Sequence, residues 1–337
     1  MKKVGINGFG RIGRSFFRLA FGTGDFEIVA VNDVRLTPNE AAYLLAHDSV
    51  YHLYGRKVVA KENGIEVDGT LIPLLAEKDP EKLPWAAKGV DVVVESTGVF
   101  RAYDGPKGAS RHLQGGAKKV LLSTEPKGDG AEKIPMVVFG VNHKSYDPKA
   151  HSVVSAATCT TNSLAPVAYV LEKEFGIAHA FLTTVHAYTA DQQLVDGAGS
   201  SLSRSRAAAI NIVPTSTGAA TATAKVIPSL AGRMDGVAFR VPVPSGSVSD
   251  FVCEMKKEIT VEDVNAMLRR YAEGELKGVL GVSAEPMVSS DILADTRATV
   301  VDLGSTRVVD RRLLKVVTFY DNEWGYTNQL ARVAKLL

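Results

Sequence analysis

Short apolar runs alternate with helical patterns through the first half of the chain. These runs predict buried strands at residues 4–6, 27–32, 90–95, 119–123 and 136–141. A helix is predicted between the first two strands, over residues 11–21. Nearly continuous Val and Leu runs separated by helices are typical of a parallel sheet covered on both faces. The more polar residues 56–74 carry two turn signals and predict a hairpin added to that sheet.

After about residue 155 the apolar runs become longer and partly alternating. They predict strands at residues 180–188, 236–243, 247–256, 298–303 and 314–320. Such alternation is typical of antiparallel strands with one covered face. Helices are predicted at residues 163–175, 219–230, 261–272 and 323–337, the third of them behind the capping pair Thr260 and Asp263. The change of pattern predicts a domain boundary near residue 155.

Length and charge narrow the class of protein. A chain of 337 residues is long for one hydrophobic core and suits two domains. Its 39 Lys and Arg against 37 Asp and Glu give a net charge of +2, too even to indicate nucleic acid or a membrane as partner. The two cysteines, Cys159 and Cys253, fit neither a disulfide framework nor a metal site, and no apolar run is long enough for a membrane span. We expect a cytoplasmic protein with free thiols and no metal.

A glycine-rich turn follows the first strand. Gly8, Gly10 and Gly13 open the first helix, and such glycines let the backbone turn tightly and approach a pyrophosphate at the helix N-terminus. Asp33 ends the second strand at the spacing of a carboxylate that accepts hydrogen bonds from an adenosine ribose. The alternative is a tight turn followed by a surface aspartate. Strand, spacing and carboxylate together favour a dinucleotide site, and the carboxylate favours NAD over NADP because it repels a 2′-phosphate.

Cys159 is the candidate nucleophile. Residues 155–162 lead into the helix predicted from residue 163, so Cys159 lies close to a helix N-terminus, where unpaired N–H groups favour a thiolate. An isolated cysteine is more often an inert apolar residue, as we expect of Cys253 within its strand. The hydrogen-bonding neighbours Thr158 and Thr160 favour a reactive role for Cys159.

His186 is the candidate acid/base partner of that thiol. It lies in an apolar stretch with strand character, where a histidine is as often a hydrogen-bonded core residue as a catalyst. The sequence leaves both interpretations open. As an imidazolium paired with Cys159, it could lower the pKa of the thiol and then exchange protons with a bound aldehyde oxygen.

Seven separated motifs resemble one enzyme family. In chain order they are GINGFGRIGR, ESTGVF, HLQGGAKKV, ATCTTNSLAP, TTVHAYT, PTSTGAA and YDNEWGY, and together they extend along essentially the whole chain. They resemble phosphorylating glyceraldehyde-3-phosphate dehydrogenases. The resemblance implies an α/β fold with a Rossmann-type doubly wound parallel sheet, and an α+β catalytic domain with a mainly antiparallel sheet. It implies an NAD-binding domain at 1–157, completed by the C-terminal helix 323–337, and a catalytic domain at 158–322.

The resemblance also implies a reaction and an assembly. D-Glyceraldehyde 3-phosphate would be oxidised with NAD to 1,3-bisphosphoglycerate through a thiohemiacetal and a thioester on Cys159. His186 would act as the base, and inorganic phosphate would cleave the thioester. The family assembles as a homotetramer in which a loop, here about 191–209, abuts the cofactor of a neighbouring subunit.

The implied binding residues fall into three groups. The cofactor would be bound by Gly8, Gly10, Arg11, Ile12, Gly13, Asp33, Ser123 and Asn322. The substrate phosphate would be bound by Thr189 and Arg240, and the attacking phosphate by Thr158, Thr160, Thr217 and Gly218, with Arg204 between the two pockets. Hydroxyls, backbone N–H groups and arginines are the donors that phosphate oxygens need.

Three positions depart from the family pattern. Thr158 stands where the family usually has Ser, so the hydroxyl is kept and a methyl group is added. Ser163 stands where a second cysteine is common, which removes a disulfide partner for Cys159. Ala198 stands where NAD-specific members usually have Pro, as in forms that also accept NADP. We therefore expect NAD as cofactor, with NADP as a possible alternative.

Three other functions compete with this interpretation. A related enzyme that oxidises erythrose 4-phosphate usually lacks the Tyr188-Thr189 and Ser216-Thr217-Gly218 segments, which this chain has. A thiol hydrolase or acyltransferase would have no use for the dinucleotide fingerprint. A non-catalytic NAD-binding or nucleic-acid-binding protein would have no need of Cys159 and His186 together.

Overall fold

Backbone contacts divide the chain into two units. The computed structural model describes all 337 residues. The first unit comprises Met1–Val137, His143–Ala157 and Leu330–Leu337, and the second comprises Val138–Asn142 and Thr158–Gln329. The chain thus leaves the first unit between Ala157 and Thr158, directly before the candidate nucleophile.

An eight-stranded sheet forms the centre of the first unit. Its strands are β1 (Lys2–Asn7), β2 (Phe26–Asn32), β3 (Val58–Lys61), β4 (Gly64–Val67), β5 (Thr70–Leu75), β6 (Val92–Glu95), β7 (Lys119–Leu122) and β8 (Val153–Ser155). They lie in the order β3-β4-β5-β2-β1-β6-β7-β8, and all pairs from β5 to β8 are parallel. The antiparallel strands β3, β4 and β5 are the predicted hairpin, extended by one strand.

Three helices accompany this sheet: α1 (Arg11–Ala20), α2 (Pro38–Ala46) and α3 (Arg111–Gln114). The Val, Ile and Leu side chains of β1, β6 and β7 are almost wholly buried, as the continuous apolar runs predicted for a parallel sheet. The loops after β1, β2, β6 and β7 lie at the carboxyl edge of the sheet, where ligands bind in open α/β sheets.

A seven-stranded sheet forms the centre of the second unit. Its strands are β9 (Ile177–Ala187), β10 (Val213–Ser216), β11 (Met234–Val241), β12 (Ser247–Met255), β13 (Leu280–Ser283), β14 (Thr299–Val309) and β15 (Leu313–Tyr320). The order is β10-β11-β9-β12-β15-β14-β13, and only the pairs β11–β9 and β13–β14 are parallel. The predicted fold class is therefore confirmed: a mostly parallel sheet and then a mostly antiparallel one.

Four helices complete the chain: α4 (Cys159–Glu174), α5 (Ala219–Val226), α6 (Val261–Glu273) and α7 (Trp324–Leu336). Thr260 and Asp263 form the predicted capping box at α6. Pro228 follows α5 within a short 3-10 turn, so the helix ends before the predicted residue 230. No helix combines the length and apolar character needed to cross a membrane.

Two sequence predictions are wrong. Residues 136–141 form only an isolated bridge between Met136 and Ser155, because the chain turns at Gly140, whose φ is +88°. The strand at this edge of the sheet is instead β8. The helix predicted from residue 163 begins four residues earlier, at Cys159, because Thr158 caps it.

Candidate active site

The candidate nucleophile is the first residue of helix α4. Thr158 precedes it with extended backbone (φ −112°, ψ 166°), and its Oγ1 accepts a hydrogen bond of 3.1 Å from the backbone N–H of Thr161. This is an N-cap, which satisfies one of the unpaired N–H groups at a helix start. The half-buried Cys159 therefore lies at the positive end of the helix, where an anion is stabilised.

The thiol and the candidate base are neighbours. Cys159 Sγ lies 3.4 Å from Nε2 of His186, which is buried on strand β9. Tyr320 packs its ring edge-to-face on the imidazole, with the ring centroids 6.0 Å apart. The Tyr320 hydroxyl lies 2.9 Å from the hydroxyl oxygens of both Thr160 and Thr184, so it joins the start of α4 to β9.

Arg240 lies on the other side of the imidazole. Strands β9 and β11 run in parallel with Arg240 opposite His186, and Arg240 Nη1 lies 2.6 Å from His186 Nδ1. The carbonyl oxygen of Ala187 is 2.6 Å from the same Nδ1 and 3.0 Å from Arg240 Nη1. With its proton on Nδ1, the imidazole donates to Ala187 and presents a bare Nε2 to the thiol. With Nδ1 bare, it accepts from Arg240 and presents N–H to the sulfur.

Burial and the arginine charge set the ionisation of this pair. Burial, followed by the positive charge of Arg240, lowers the pKa of His186 to about 3. Burial raises the pKa of the Cys159 thiol, and the Arg240 charge and hydrogen bonds at Thr160 oppose that rise. Arg240 thus favours the thiolate but disfavours the imidazolium, one of the forms of His186 that the sequence left open. In the unliganded site His186 is a neutral base.

A second arginine lies near the first. Arg204 pairs with the carboxylate of Asp191, whose other oxygen accepts from the Thr189 hydroxyl, and Arg204 Nε donates to Thr215 Oγ1 at 3.1 Å. Burial and the charge of Arg204 lower the pKa of Arg240, whose buried Nε has no hydrogen-bond partner. Two guanidinium groups thus face one carboxylate, and an anion is needed to balance them.

The remaining predicted phosphate ligands lie at the starts of two helices, α5 and α4. Gly218 directly precedes the helix, and Thr217 Oγ1 accepts a hydrogen bond of 3.2 Å from the Ala219 N–H. Thr158 and Thr160 flank Cys159 at the start of α4.

The glycine turn of the first unit has the geometry of a dinucleotide loop. Gly8 has φ +94°, and a Cβ on it would lie 2.7 Å from the backbone nitrogen of Thr97. A Cβ on Gly13 would lie 2.0 Å from the Gly8 carbonyl oxygen. Residue 13 must therefore be glycine for α1 to pack this closely against the turn. A Cβ on Gly10 would meet nothing within 4 Å, which leaves open space at the start of α1 for a ligand.

Asp33 follows β2 and is tied to the same turn. Its carboxylate accepts hydrogen bonds of 2.8 Å from the Phe9 N–H and 2.9 Å from the Arg35 N–H. Arg11, the first residue of α1, pairs its side chain with Asp48. Ser123 directly follows β7, and Ile12 is the second residue of α1.

Asn322 lies in the second unit, two residues before the first residue of α7. Its side-chain oxygen accepts hydrogen bonds of 3.1 Å from the Gly246 N–H and 2.9 Å from the Ser247 hydroxyl. These two donors fix the amide so that its nitrogen is the group offered to a ligand.

Sequence reasoning missed Tyr320 and Asp191. Tyr320 is the first residue of the YDNEWGY motif and ends an apolar strand. A buried tyrosine needs a hydrogen-bond partner for its hydroxyl, and this requirement could have identified Tyr320 from the sequence. Asp191 follows Thr189 in a polar loop, and nothing in the local pattern distinguishes it from a solvated aspartate.

Comparison with known proteins gives one consistent result. Residues 2–103 match the family model for the NAD-binding domain of glyceraldehyde 3-phosphate dehydrogenase, and residues 158–322 match the model for its C-terminal domain. A glyceraldehyde-3-phosphate dehydrogenase of Geobacillus stearothermophilus is 50% identical over 332 residues, which cover 98% of this chain and 97% of that protein. A glyceraldehyde-3-phosphate dehydrogenase of Bacillus cereus and one of Haloarcula vallismortis are each 49% identical to this chain. Each of the two alignments covers 99% of this chain and 98% of the other protein. The chain therefore belongs to the glyceraldehyde-3-phosphate dehydrogenase family.

Proposed function

We propose that the chain catalyses the reversible oxidation of D-glyceraldehyde 3-phosphate, with NAD and inorganic phosphate, to 1,3-bisphosphoglycerate. The observation that carries the proposal is the arrangement of Cys159, His186 and Arg240 in one site of the second unit. A thiol lies 3.4 Å from a neutral base, and the buried Nε of a guanidinium beside that base has no hydrogen-bond partner. This set suits a phosphorylated aldehyde.

The first step joins the aldehyde to the enzyme. Cys159 Sγ forms a bond to the aldehyde carbon, His186 Nε2 takes the thiol proton, and the carbonyl oxygen receives it to give a thiohemiacetal. Burial and, after it, the Arg240 charge lower the pKa of His186, and a phosphate on Arg240 offsets the second of these causes. Substrate binding therefore makes the imidazole a stronger base where the proton has to move.

The second step removes two electrons. His186 takes the hydroxyl proton of the thiohemiacetal as the C–H electron pair departs, and Cys159 is left as a thioester. NAD, when bound, supplies the hydride acceptor for this step. Inorganic phosphate then attacks the thioester carbon, the C–S bond breaks, and Cys159 leaves as a thiolate stabilised by the start of α4.

The first unit has groups that suit the dinucleotide. The open space at Gly10 and the start of α1, which has no side-chain cap, fit a pyrophosphate, and the Asp33 carboxylate fits the ribose hydroxyls. The remaining proposed contacts are those of Gly8, Arg11, Ile12, Gly13, Ser123 and Asn322. Asp33 favours NAD, whereas the small Ala198 is compatible with NADP as an alternative cofactor.

Two anion pockets complete the proposed site. The substrate phosphate binds Thr189 and Arg240, the attacking phosphate binds Thr158, Thr160, Thr217 and Gly218, and Arg204 lies between the pockets. The two arginines, which face a single carboxylate, support the first pocket, and the N-terminus of α5 supports the second. We assign nucleotide binding to residues 1–157 with 323–337, and catalysis to 158–322.

We further propose a homotetramer. Its support is a cluster of large apolar side chains in and beside the loop 191–209, each mostly exposed in the isolated chain: Leu194, Val195, Leu202, Ile210 and Ile212. Such a cluster marks a surface that another protein covers. Light scattering on the purified protein tests this, and a monomer at micromolar concentration contradicts it. The two unpaired thiols suit the cytoplasm as the proposed location.

Absorbance of reduced nicotinamide tests the reaction. Purified protein is mixed with glyceraldehyde 3-phosphate and NAD, with and without inorganic phosphate, and then with NADP in place of NAD. We expect repeated turnover only when phosphate is present, and faster turnover with NAD. Turnover that does not depend on phosphate contradicts phosphorylating oxidation, and turnover only with erythrose 4-phosphate assigns the chain a different substrate.

A further inference from the structure

A buried carboxylate in the first unit has no part in the reaction above. Glu95 is the last residue of β6 and is 1% exposed, and His112, on α3, is 0% exposed. His112 Nε2 lies 3.0 Å from Glu95 Oε2. Burial of a charged group is unfavourable unless every partner is in place, so the surroundings of this pair indicate what it does.

Each oxygen of Glu95 has two donors. Oε1 accepts from the Thr97 N–H at 2.8 Å and from the Thr97 hydroxyl. Oε2 accepts from the Asn7 amide at 2.5 Å and from His112. A carboxylate, which only accepts hydrogen bonds, suits four donors, and an amide of the same shape does not.

A tryptophan fixes the tautomer of His112. The indole N–H of Trp85 can only donate, and it lies 3.0 Å from His112 Nδ1. Nδ1 therefore accepts, and the imidazole proton is on Nε2, directed at Glu95. The side chains of Trp85 and His112 are both fully buried, so neither of them can contact a bound dinucleotide directly.

The network joins three strand ends. Asn7 is the register partner of both Asn32 on β2 and Glu95 on β6. Asn32 Nδ2 donates to Asn7 Oδ1 at 2.6 Å, and Asn7 in turn donates to Glu95. These three residues directly precede Gly8, Asp33 and Ser96, where the glycine turn, the ribose carboxylate and the β6 loop begin.

The loop after β6 is packed against the glycine turn. Ser96 Oγ donates to the Gly8 carbonyl oxygen at 2.7 Å, and Thr97 N lies where a Cβ on Gly8 would clash. Glu95 holds Thr97 through both its N–H and its hydroxyl. The position of Thr97, and with it the path of the glycine turn, therefore depends on Glu95.

We propose that Glu95 and His112 are positioning residues for dinucleotide binding: the buried pair sets the spacing between the β1 and β6 loops and so shapes the pyrophosphate site at the start of α1. The inference deepens the proposed function and rests on it. It assigns a role to two motifs, ESTGVF and HLQGGAKKV, that the chemistry at Cys159 does not use.

Glu95→Gln is the most direct substitution. It keeps the shape but replaces one acceptor with an N–H₂ donor. Turned one way, that donor faces the Thr97 N–H, and turned the other way it faces Asn7 and His112. His112 cannot relieve the conflict by changing its tautomer, because Trp85 occupies Nδ1. The loop after β6 must shift, and the start of α1 shifts with it.

The test is the affinity of the full-length protein for NAD, measured by titration calorimetry, together with steady-state kinetics. In Glu95→Gln we expect Kd and KM for NAD to rise about tenfold, the scale of one charged hydrogen bond. We expect kcat at saturating NAD, and the rate of Cys159 alkylation by iodoacetamide, to stay within about twofold of the unsubstituted protein.

A matched control separates positioning from lost stability. Ile65 is a fully buried residue of β4 outside the network, and Ile65→Val and Ile65→Ala lower the melting temperature in graded steps. Where an Ile65 variant loses as much melting temperature as Glu95→Gln, it should still bind NAD with the Kd of the unsubstituted protein. Equal weakening of NAD binding in the controls and in Glu95→Gln contradicts the proposal.

Substitutions at His112 give an independent second test, which does not need Glu95→Gln to fold. His112→Phe removes both hydrogen bonds and should weaken NAD binding, whereas His112→Gln can still donate to Glu95 and should weaken it less. Unchanged Kd values in Glu95→Gln and His112→Phe overturn this inference and leave the proposed function intact. A protein that does not bind NAD even without substitutions overturns the proposed function itself.

Discussion

Arg240 lies directly opposite His186 across two parallel strands, with its Nη1 2.6 Å from the imidazole Nδ1. The arginine charge acts on both reacting groups, since it adds to the larger effect of burial that lowers the pKa of His186 and opposes the burial that raises the pKa of Cys159. One cation therefore favours both the thiolate form of the nucleophile and the neutral form of the base. The substrate phosphate that binds this cation changes both effects at once, and this couples recognition of the substrate to its activation.

Removal of the Arg240 charge should raise the pKa of both groups. In Arg240→Gln the thiolate fraction of Cys159 at a given pH falls, so the pH profile of alkylation by the uncharged reagent iodoacetamide should move to higher pH. Burial and, after it, the charge of Arg240 lower the pKa of His186 to about 3, so an NMR titration of His186 in Arg240→Gln should show a pKa above that value. Arg206→Gln is the control, because Arg206 is exposed and pairs with Asp196 at 2.9 Å. A profile that does not move, or moves to lower pH, contradicts the role given to Arg240.

Loss of the base should slow formation of the thioester. His186→Asn removes the proton acceptor 3.4 Å from the thiol, and loss of general base catalysis typically costs about 10² to 10⁴ in rate. Rapid mixing with substrate and NAD, without phosphate, measures this rate as the first burst of reduced nicotinamide. His179→Asn is the matched control, since His179 lies on the same strand but is exposed and pairs with Glu254 at 3.1 Å. A burst of unchanged rate in His186→Asn excludes His186 as the base.

Asp33 should determine the choice between NAD and NADP. Asp33→Ala removes the negative charge and also the acceptor of the Phe9 N–H, whereas Asp33→Asn keeps an acceptor and removes the charge. Both variants should shift the ratio of kcat/KM towards NADP, by about tenfold for one lost repulsion. Asp33→Asn should retain more of the NAD affinity, because the glycine turn keeps its anchor. An unchanged ratio in both variants means that Asp33 does not meet the ribose.

The Thr158 cap should stabilise the helix that carries the nucleophile. Thr158→Ala leaves the Thr161 N–H without its partner and should cost about 1 kcal/mol in the free energy of unfolding. Thr158→Ser keeps the oxygen and should stay close to the unsubstituted protein. Urea unfolding of the three proteins measures the difference. Equal stability of Thr158→Ala and Thr158→Ser contradicts the capping role.

Features carried by neighbouring residues could be predicted from the sequence. The glycine turn, the capping box of Thr260 and Asp263, and the parallel strands of the first unit all depend on local spacing. The start of α4 was misjudged because Thr158 to Asn162 is polar and contains no hydrophobic repeat, although Thr158 is itself a capping residue. Residues 136–141 have a strand-like composition, but Gly140 turns the chain away from the sheet.

The charge relationships within the site could not be predicted in this way. Arg240 meets His186 only through the register of β9 and β11, and 54 positions separate the two residues along the chain. The sequence therefore left an imidazolium open as the partner of the thiol, whereas the structure places beside His186 a guanidinium that disfavours it. The network of Glu95 likewise depends on parallel pairing between β1 and β6, which brings Asn7 and Glu95 together from 88 positions apart.

The mass of the intact protein after a single turnover tests the central claim most directly, that catalysis passes through a thioester on Cys159. Protein, glyceraldehyde 3-phosphate and NAD are mixed without inorganic phosphate, quenched in acid and measured, and a second sample receives phosphate before the quench. We predict one acyl adduct per chain, located on the peptide that contains Cys159, absent from Cys159→Ala and discharged by phosphate. Formation of reduced nicotinamide without an adduct, or an adduct that persists in Cys159→Ala, would contradict the covalent route.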